Sequence, residues 1–397
     1  MPFFKTCNIF LDKLVRPEIR TLYRSWQTYQ VCGYLGFGLA ILLTMSLVVY
    51  LNLSPLVMGA ITLLTAPVFF GLVMASKIVT GEEQIVYYHH EIAVLLATTL
   101  LLRLLKQPVL PYLDITVLGI GLFLACGRIG CLMAGCCHGR PYRWGVSYRP
   151  EHAEAGFTPW YVGVRLFPIQ AVESGLVLGV VLVGTILVMR GAAPGTALTW
   201  YTISYGVVRF VLEFWRGDPE RPYFWGFSEA QWISLALMGL IAAAELSGAL
   251  PLTPWHLGAA TGVLAAMFAL GLIRRFKKSP THLLLHPHHV PEIAAAVACG
   301  ARVRNQHRHP DQVHLRCTSQ GVQISGGNIV SEAGSVRHYA ISSRDGSMTE
   351  KNARALFRLI LQLRGQATGS SEFLKGNRRN VFHLVIHPVD EKSAGRE

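Results

Sequence analysis

Residues 31–51 contain no charged side chain, and neither do residues 56–75. A bilayer core about 30 Å thick is crossed by roughly 20 apolar residues in helical form. In lipid every backbone N–H and C=O must find its partner inside the segment, which leaves such stretches little choice but the α-helix. Further apolar stretches follow at 92–105, 112–134, 170–189, 197–215, 230–248 and 254–273. The stretch at 92–105 is short and ends in Arg103 and Lys106, so it works as a span only if its His89–Glu91 end is sheltered by protein. The run Arg274-Arg275-Phe276-Lys277-Lys278 stops the last one. The pattern predicts an α-helical polytopic membrane protein with eight candidate spans. Composition agrees: 15% of residues are charged and mean hydropathy is +0.37, against about 25% charged in soluble domains. Disorder, collagen and a small disulfide scaffold are excluded, and no internal repeat is visible.

Charge divides the chain. Residues 1–273 hold 17 Lys/Arg and 14 Asp/Glu, a net of +3, whereas 274–397 hold 19 and 9, a net of +10, together with ten of the fifteen histidines. The organisation expected is a transmembrane domain over 1–278 and a small, basic, soluble α+β domain over 279–397. Strands are expected at 313–319, 322–325, 336–343 and 381–386, and an amphipathic helix at 349–364. His282, His286, His288 and His289 fall in a Pro-containing stretch with linker character and no zinc spacing. A basic surface beside a bilayer is drawn to anionic head groups, so the tail reads as an accessory domain leaning on the membrane and dispensable for chemistry. It has no aromatic-interleaved or recognition-helix pattern, so no nucleic-acid partner is expected. Residues 1–30 carry five basic residues and no apolar core of a signal peptide, so the first span is expected to serve as the insertion signal. Eight spans would put both termini and the loops at 76–89, 135–169 and 216–229 on one side. Most Lys and Arg outside the spans lie there, which the positive-inside rule reads as cytoplasmic.

Ionisable residues inside spans are costly and mark function by default. The fourth stretch holds Asp114 and Arg128, about 21 Å apart along a helix and too far to pair. In the sixth, Tyr205, Arg209, Glu213 and Arg216 fall on one helical stripe. One reading makes Arg209–Glu213 and Arg128–Glu173 structural ion pairs. The other makes the arginines an anion site, because guanidinium forks match phosphate and the abundant phosphate of a membrane is a phospholipid head group. His89-His90-Glu91 supplies either an interfacial polar cap or a general base. Cys126, Cys131, Cys136 and Cys137 crowd into twelve residues. Their spacings are not those of structural zinc, so no metal is expected, and they read as small packing residues lining a pocket. Loop 135–169 is long and rich in Gly, Pro, Trp and Tyr, the kind of connection that often carries function.

These motifs resemble, in order, those of the prolipoprotein diacylglyceryl transferase family. Gly127-Arg128-Ile129-Gly130 followed by Gly139-Arg140-Pro141 is similar to the family signature, and Tyr205-Gly-Val-Val-Arg209-Phe-Val-Leu-Glu213-Phe-Trp-Arg216 to its late arginine–glutamate helix. Tyr29 within Trp26–Tyr29, Tyr88-His89, Asp114, and Pro168, Gln170 and Glu173 resemble shorter family motifs. The resemblance covers roughly 26–248. It implies seven core spans, with the helix at 254–273 an eighth beyond them, and it places the signature loop on the outer face, opposite to the charge count. Cys131 and Cys136 occupy the positions of the signature asparagine and glutamate, Phe167 stands where the family has histidine, and His90 and Glu91 replace two glycines.

The resemblance implies a multi-pass protein of the bacterial cytoplasmic membrane that moves a diacylglyceryl group from phosphatidylglycerol to the lipobox cysteine thiol of preprolipoproteins, without a cofactor. His89 or His90 would take the thiol proton, Arg128 and Arg209 would stabilise the departing glycerol phosphate, and Glu213 would hold Arg209. Tyr29, Asp114, Gly127, Gly139, Arg140 and Tyr205 would bind substrate. The replaced signature residues keep two other functions open: a phospholipid-binding homologue that is non-catalytic or takes another acceptor, and a Cys/His metal or redox membrane protein.

Overall fold

The computed structural model describes residues 2–20, 24–81, 86–219, 221–276, 284–302, 315–331, 334–364 and 371–387. All eight apolar stretches are helical: α2 (Thr28–Tyr50), α3 (Pro55–Thr80), α4 (Tyr87–Leu104), α5 (Val109–Ala134), α7 (Ile169–Met189), α8 (Thr196–Leu212), α9 (Glu229–Leu246) and α10 (Pro254–Phe276). Six of them are long and apolar enough to cross a membrane; α4 and α8, with 18 and 17 residues, are the two that are not. The expected span at 197–215 stops at Leu212, where the chain tightens into a 3₁₀ turn over Glu213–Trp215.

Helix α5 is the axis of the bundle, buried along most of its length between α2, α7 and α8. Small residues permit this. A Cβ on Gly119 would lie 2.6 Å from the Thr44 methyl of α2, and one on Gly121 would lie 2.4 Å from the Tyr201 ring of α8. Apolar burial drives little association in lipid, so close backbone approach has to supply the packing. Away from this axis α3 is mostly exposed around its internal Pro67.

The two ends of the bundle differ. At one end the turns are short and tied together: the Tyr50 hydroxyl donates to Met189 O, and Asp114 accepts from Gly195 N and Leu198 N, both at 2.7 Å. At the other end lie the N-terminal helix α1 (Pro2–Leu14), the loop between α5 and α7, the 213–228 loop and the tail. Helix α1, which the sequence reading did not anticipate, packs on β3 (Pro141–Ser147): Gly145 N donates to Asn8, Ser147 N donates to Asp12, and Arg165 of β4 (Arg165–Leu166) donates to both Asp12 oxygens. A short helix, α6 (Pro150–Glu154), lies between those strands. Helix α10 returns the chain to this end, where Arg274 donates to Gly226 O at 2.5 Å.

The tail forms a five-stranded antiparallel sheet. With β7 (Leu315–Cys317), β8 (Val322–Ser331), β9 (Gly334–Ser343), β10 (Ser371–Lys375) and β11 (Phe382–Ile386), the spatial order is β10-β11-β9-β8-β7. Helices α11 (Val290–Arg302) and α12 (Glu350–Leu363) accompany it. Strand β10 and helix α11 were not expected, and the first expected strand is shorter, its residues 313–314 lying outside the described residues. The stretch read as a histidine linker is partly built into the domain. His289 is buried and bridges Leu284 O and Thr318 Oγ1, while His282 lies outside the described residues. Nor does the tail stand apart from the bundle. Its Val290, Ile293, Leu356 and Leu359 share one buried apolar cluster with Val146, Tyr148, Phe157 and Tyr161 of the α5–α7 loop.

Candidate functional site

The first turn and a half of α7 places Gln170, Glu173 and Ser174 against the end of α5, all three buried. The Ser174 hydroxyl donates to Ala125 O and the Gln170 amide to Cys136 O, which locks the two helices in register. Between them Glu173, with no exposed surface, is the hub of an ionic network. Its oxygens accept from the Tyr205 hydroxyl at 3.0 Å and from Arg209 Nη1 at 3.3 and 3.4 Å. Arg128 Nε lies 2.9 Å from the same carboxylate and Arg216 Nη1 3.8 Å from it. Arg209 also pairs with Glu213 at 2.9 Å, Glu213 with Arg221, and Asp218 with both Arg216 and Arg221. Burial would raise the Asp218 carboxyl, but the Arg216 and Arg221 guanidiniums outweigh it and hold the group well below the usual carboxylate range.

Both ion pairs of the structural reading are therefore formed, yet they do not exhaust the charge. Among the described residues, Arg128, Arg209, Arg216 and Arg221 face Glu173, Glu213 and Asp218, four guanidiniums against three carboxylates. Arg128 Nε and Arg216 Nη1 are buried and have no aligned hydrogen-bond acceptor among the described residues. Arg128 Nε is nonetheless 2.9 Å from Glu173, so the buried cationic donor without a close acceptor is Arg216 Nη1; such a donor is costly, and an arriving anion would satisfy it.

The loops around this network are joined backbone to backbone. Arg140 N donates to Trp215 O, Gly217 N to His138 O, and the Arg140 side chain to Arg216 O. Glycine is required at the seam, since a Cβ on Gly139 would sit 2.3 Å from Phe167 O and one on Gly217 2.4 Å from Gly139 O. Beyond the seam the tail encloses a cavity of about 210 Å³ lined by Arg140, Tyr161, Gly217, Leu285, Val290 and Arg358.

Among the residues expected from sequence, Arg128, Tyr205, Arg209 and Glu213 are brought together, and Gly139 and Arg140 form the adjoining seam. Tyr29 lies across α2 from Gly130, within electrostatic reach of Arg128. A Cβ on Gly127 would meet no neighbour within 4 Å. Two placements differ from expectation. Asp114 sits at the far end of α5, where it caps α8 through two backbone N–H groups and touches none of the arginines. His89 is half-exposed and pairs with Glu229 at the start of α9, and His90 bonds Val86 O and packs on Phe69 of α3. Among the described residues no hydrogen bond or ion pair joins either histidine to the arginines. On a helix Tyr87, Tyr88 and Glu91 share a face that His89 and His90 do not. That face carries the tyrosines to the site: Tyr87 bonds Tyr201, and both Tyr87 and Tyr88 pack on Tyr205.

The cysteines are brought together by the turn that follows α5. Gly135 ends α5 with φ +89° and Cys137 adopts φ +53°, so the chain doubles back after the helix. The sulfurs of Cys131, Cys136 and Cys137 then lie within 4.8 Å of one another, Cys131 buried and Cys136 exposed. The expectation of small residues lining a pocket allows for an exposed member, but it did not foresee that the three sulfurs converge.

Comparison with known proteins places these residues in a family context. The family model described as prolipoprotein diacylglyceryl transferase matches residues 24–246. Over 129 residues the chain is 34% identical to the phosphatidylglycerol–prolipoprotein diacylglyceryl transferase of Clostridium tetani, covering 32% of this chain and 49% of that one. Over 138 residues it is 33% identical to phosphatidylglycerol–prolipoprotein diacylglyceryl transferase 2 of Clostridium perfringens, covering 34% and 50%. A protein of the former name from Dehalococcoides mccartyi is 30% identical over 128 residues, covering 32% and 47%. The chain thus spans about half the length of the curated relatives it matches.

Proposed function

The chain belongs to the prolipoprotein diacylglyceryl transferase family, and from that premise we propose that it transfers a diacylglyceryl group from phosphatidylglycerol to the lipobox cysteine thiol of a preprolipoprotein in the bacterial cytoplasmic membrane. The observation that supports this reading is that, among the described residues, four guanidiniums face three carboxylates around Glu173 and Arg216 Nη1 has no close acceptor. The acceptor thiolate attacks the glyceryl carbon bonded to the phosphate ester oxygen. The carbon–oxygen bond breaks, and glycerol phosphate leaves with the electron pair and an additional negative charge. Fixed guanidiniums in a water-poor site stabilise that charge as it develops. Glu173 and Glu213 keep Arg128 and Arg209 oriented without neutralising the whole set.

The test uses the full chain in proteoliposomes with glyceryl-labelled phosphatidylglycerol and a lipobox-cysteine peptide. Lipid label on the peptide, with release of glycerol phosphate, is expected. Folded protein that binds phosphatidylglycerol and transfers nothing would identify a phospholipid-binding homologue instead.

A further inference from the structure

We propose that Cys131, Cys136 and Cys137 form a three-thiolate site for a divalent d¹⁰ cation of the zinc class, whose open fourth position takes the acceptor's sulfur. The sulfurs are within 4.8 Å of one another. Around a tetrahedral ion with Zn–S bonds of about 2.3 Å, ligand sulfurs stand roughly 3.8 Å apart, so side-chain rotations of about 1 Å or less close the set. Thiolates are soft donors that select zinc-like or monovalent copper ions over magnesium or calcium. A set of three protein ligands with an open position is the arrangement of catalytic zinc, whereas structural sites are closed by four. Exposed Cys136 leaves one side of the set open.

Charge supports the same assignment. Three thiolates around a divalent ion carry one negative charge, and the Arg128 and Arg216 guanidiniums lie beside them. Cys137 lies within electrostatic reach of both Arg128 and Arg216. Charges of opposite sign compensating each other at short range make burial of both tolerable.

The role of the ion rests on the transfer reading; the ion site itself does not. A thiol with a pKa of about 8.5 is mostly protonated at neutral pH, and neither His89 nor His90 is bonded to the arginine cluster. A coordinating thiol loses its proton outright. The acceptor's S–H proton goes to water as the metal–sulfur bond forms. The bound sulfur then supplies the electron pair for the new S–C bond, the C–O bond to phosphate breaks, and the glycerol phosphate oxygen keeps that pair. No oxidant or reductant is required.

The purified full chain, reduced and dialysed, is analysed for zinc and then loaded with cobalt(II) as a spectroscopic replacement. About one ion per chain and a sulfur-to-cobalt charge-transfer band of a tetrahedral thiolate site are expected. Cys136→Ser and Cys137→Ser should each lose the ion. A lipobox-cysteine peptide should change the band, and its serine counterpart should not. Because Cys136 is exposed, its substitution is expected to leave folding intact, and the wild-type spectrum is informative without any variant. Less than about a tenth of an ion per chain with reduced cysteines and no charge-transfer band, or an ion unaffected by both substitutions, overturns the site. Metal-stripped protein that transfers lipid at the full rate, or a band blind to the peptide thiol, overturns the open-position role. Stoichiometric metal and a peptide response without lipid transfer would uphold the site and remove the transfer reading.

Discussion

Replacing Glu173 by glutamine tests the ionic hub with a change of one charge and almost no volume. The carboxylate has no solvent contact and faces Tyr205, Arg209, Arg128 and, at 3.8 Å, Arg216. The amide oxygen of glutamine can still accept from Tyr205 and one guanidinium, but its NH₂ opposes the next. Among the described residues, four guanidiniums then face two carboxylates. Removing one partner of a buried pair costs about 3–5 kcal/mol, because the surviving charge is left uncompensated. Glu173→Gln is therefore expected to lower unfolding stability in detergent by about that amount and to abolish lipid transfer. The site should also become a stronger anion trap. An anion at a hundred times its dissociation constant stabilises the form that binds it by about 2.7 kcal/mol. Added phosphate should accordingly raise the thermal midpoint of Glu173→Gln more than that of the wild type. A variant with wild-type stability, wild-type transfer and no differential response to phosphate would refute the description of Glu173 as counter-ion to three arginines.

Arg209→Ala should abolish transfer, whereas Arg190→Ala, at the exposed end of α7 where the side chain reaches water, should leave it within about twofold in the proteoliposome assay. Asp114→Ala should destabilise the bundle by about 1–2 kcal/mol through loss of the α8 cap and leave the affinity for phosphatidylglycerol unchanged, as measured by lipid titration. In the tail, burial and the stacked His383 ring hold His338 below the ordinary histidine range. A depressed histidine favours folding above its unfolded value of about 6.5 and loses that contribution as pH falls. The tail's thermal midpoint should therefore drop between pH 7 and 5, and less so in His338→Phe. Ending the chain at Lys278 uncovers the apolar face of the α5–α7 loop; the shortened protein should melt at least about 5 °C lower, an unchanged midpoint would refute that packing role, and lipid transfer by the shortened protein in detergent checks whether the tail is dispensable for chemistry.

The membrane helices were legible because lipid leaves an uncharged twenty-residue stretch one solution, and the Tyr205–Glu213 stripe because helical periodicity fixes which residues share a face. What escaped depends on tertiary partners. Helix α1 is amphipathic and short, and its polar residues Asn8 and Asp12 make sense only against the backbone of β3. Helix α11 was hidden because histidines and prolines before it suggested a linker, while burial of His289 between Leu284 and Thr318 depends on strands some thirty residues on. Asp114 was misplaced for a related reason. A carboxylate in a span does require a partner, but its partner was the bare N-terminus of another helix.

The cysteine run shows where spacing stops being evidence. Ligand-spacing patterns apply to chains whose local conformation is regular, and here two left-handed residues, Gly135 and Cys137, interrupt it. They turn a separation along the chain into a cluster at the end of α5, beside arginines that come from α5 and from the loop after α8. At the positions where the family resemblance places an asparagine and a glutamate, this chain has two sulfurs of that cluster. Loss of a neutral donor and a carboxylate would by itself leave the neighbouring guanidiniums less compensated. A divalent cation bound there would hold the three sulfurs as thiolates next to those guanidiniums, and it would give the acceptor thiol a place to lose its proton.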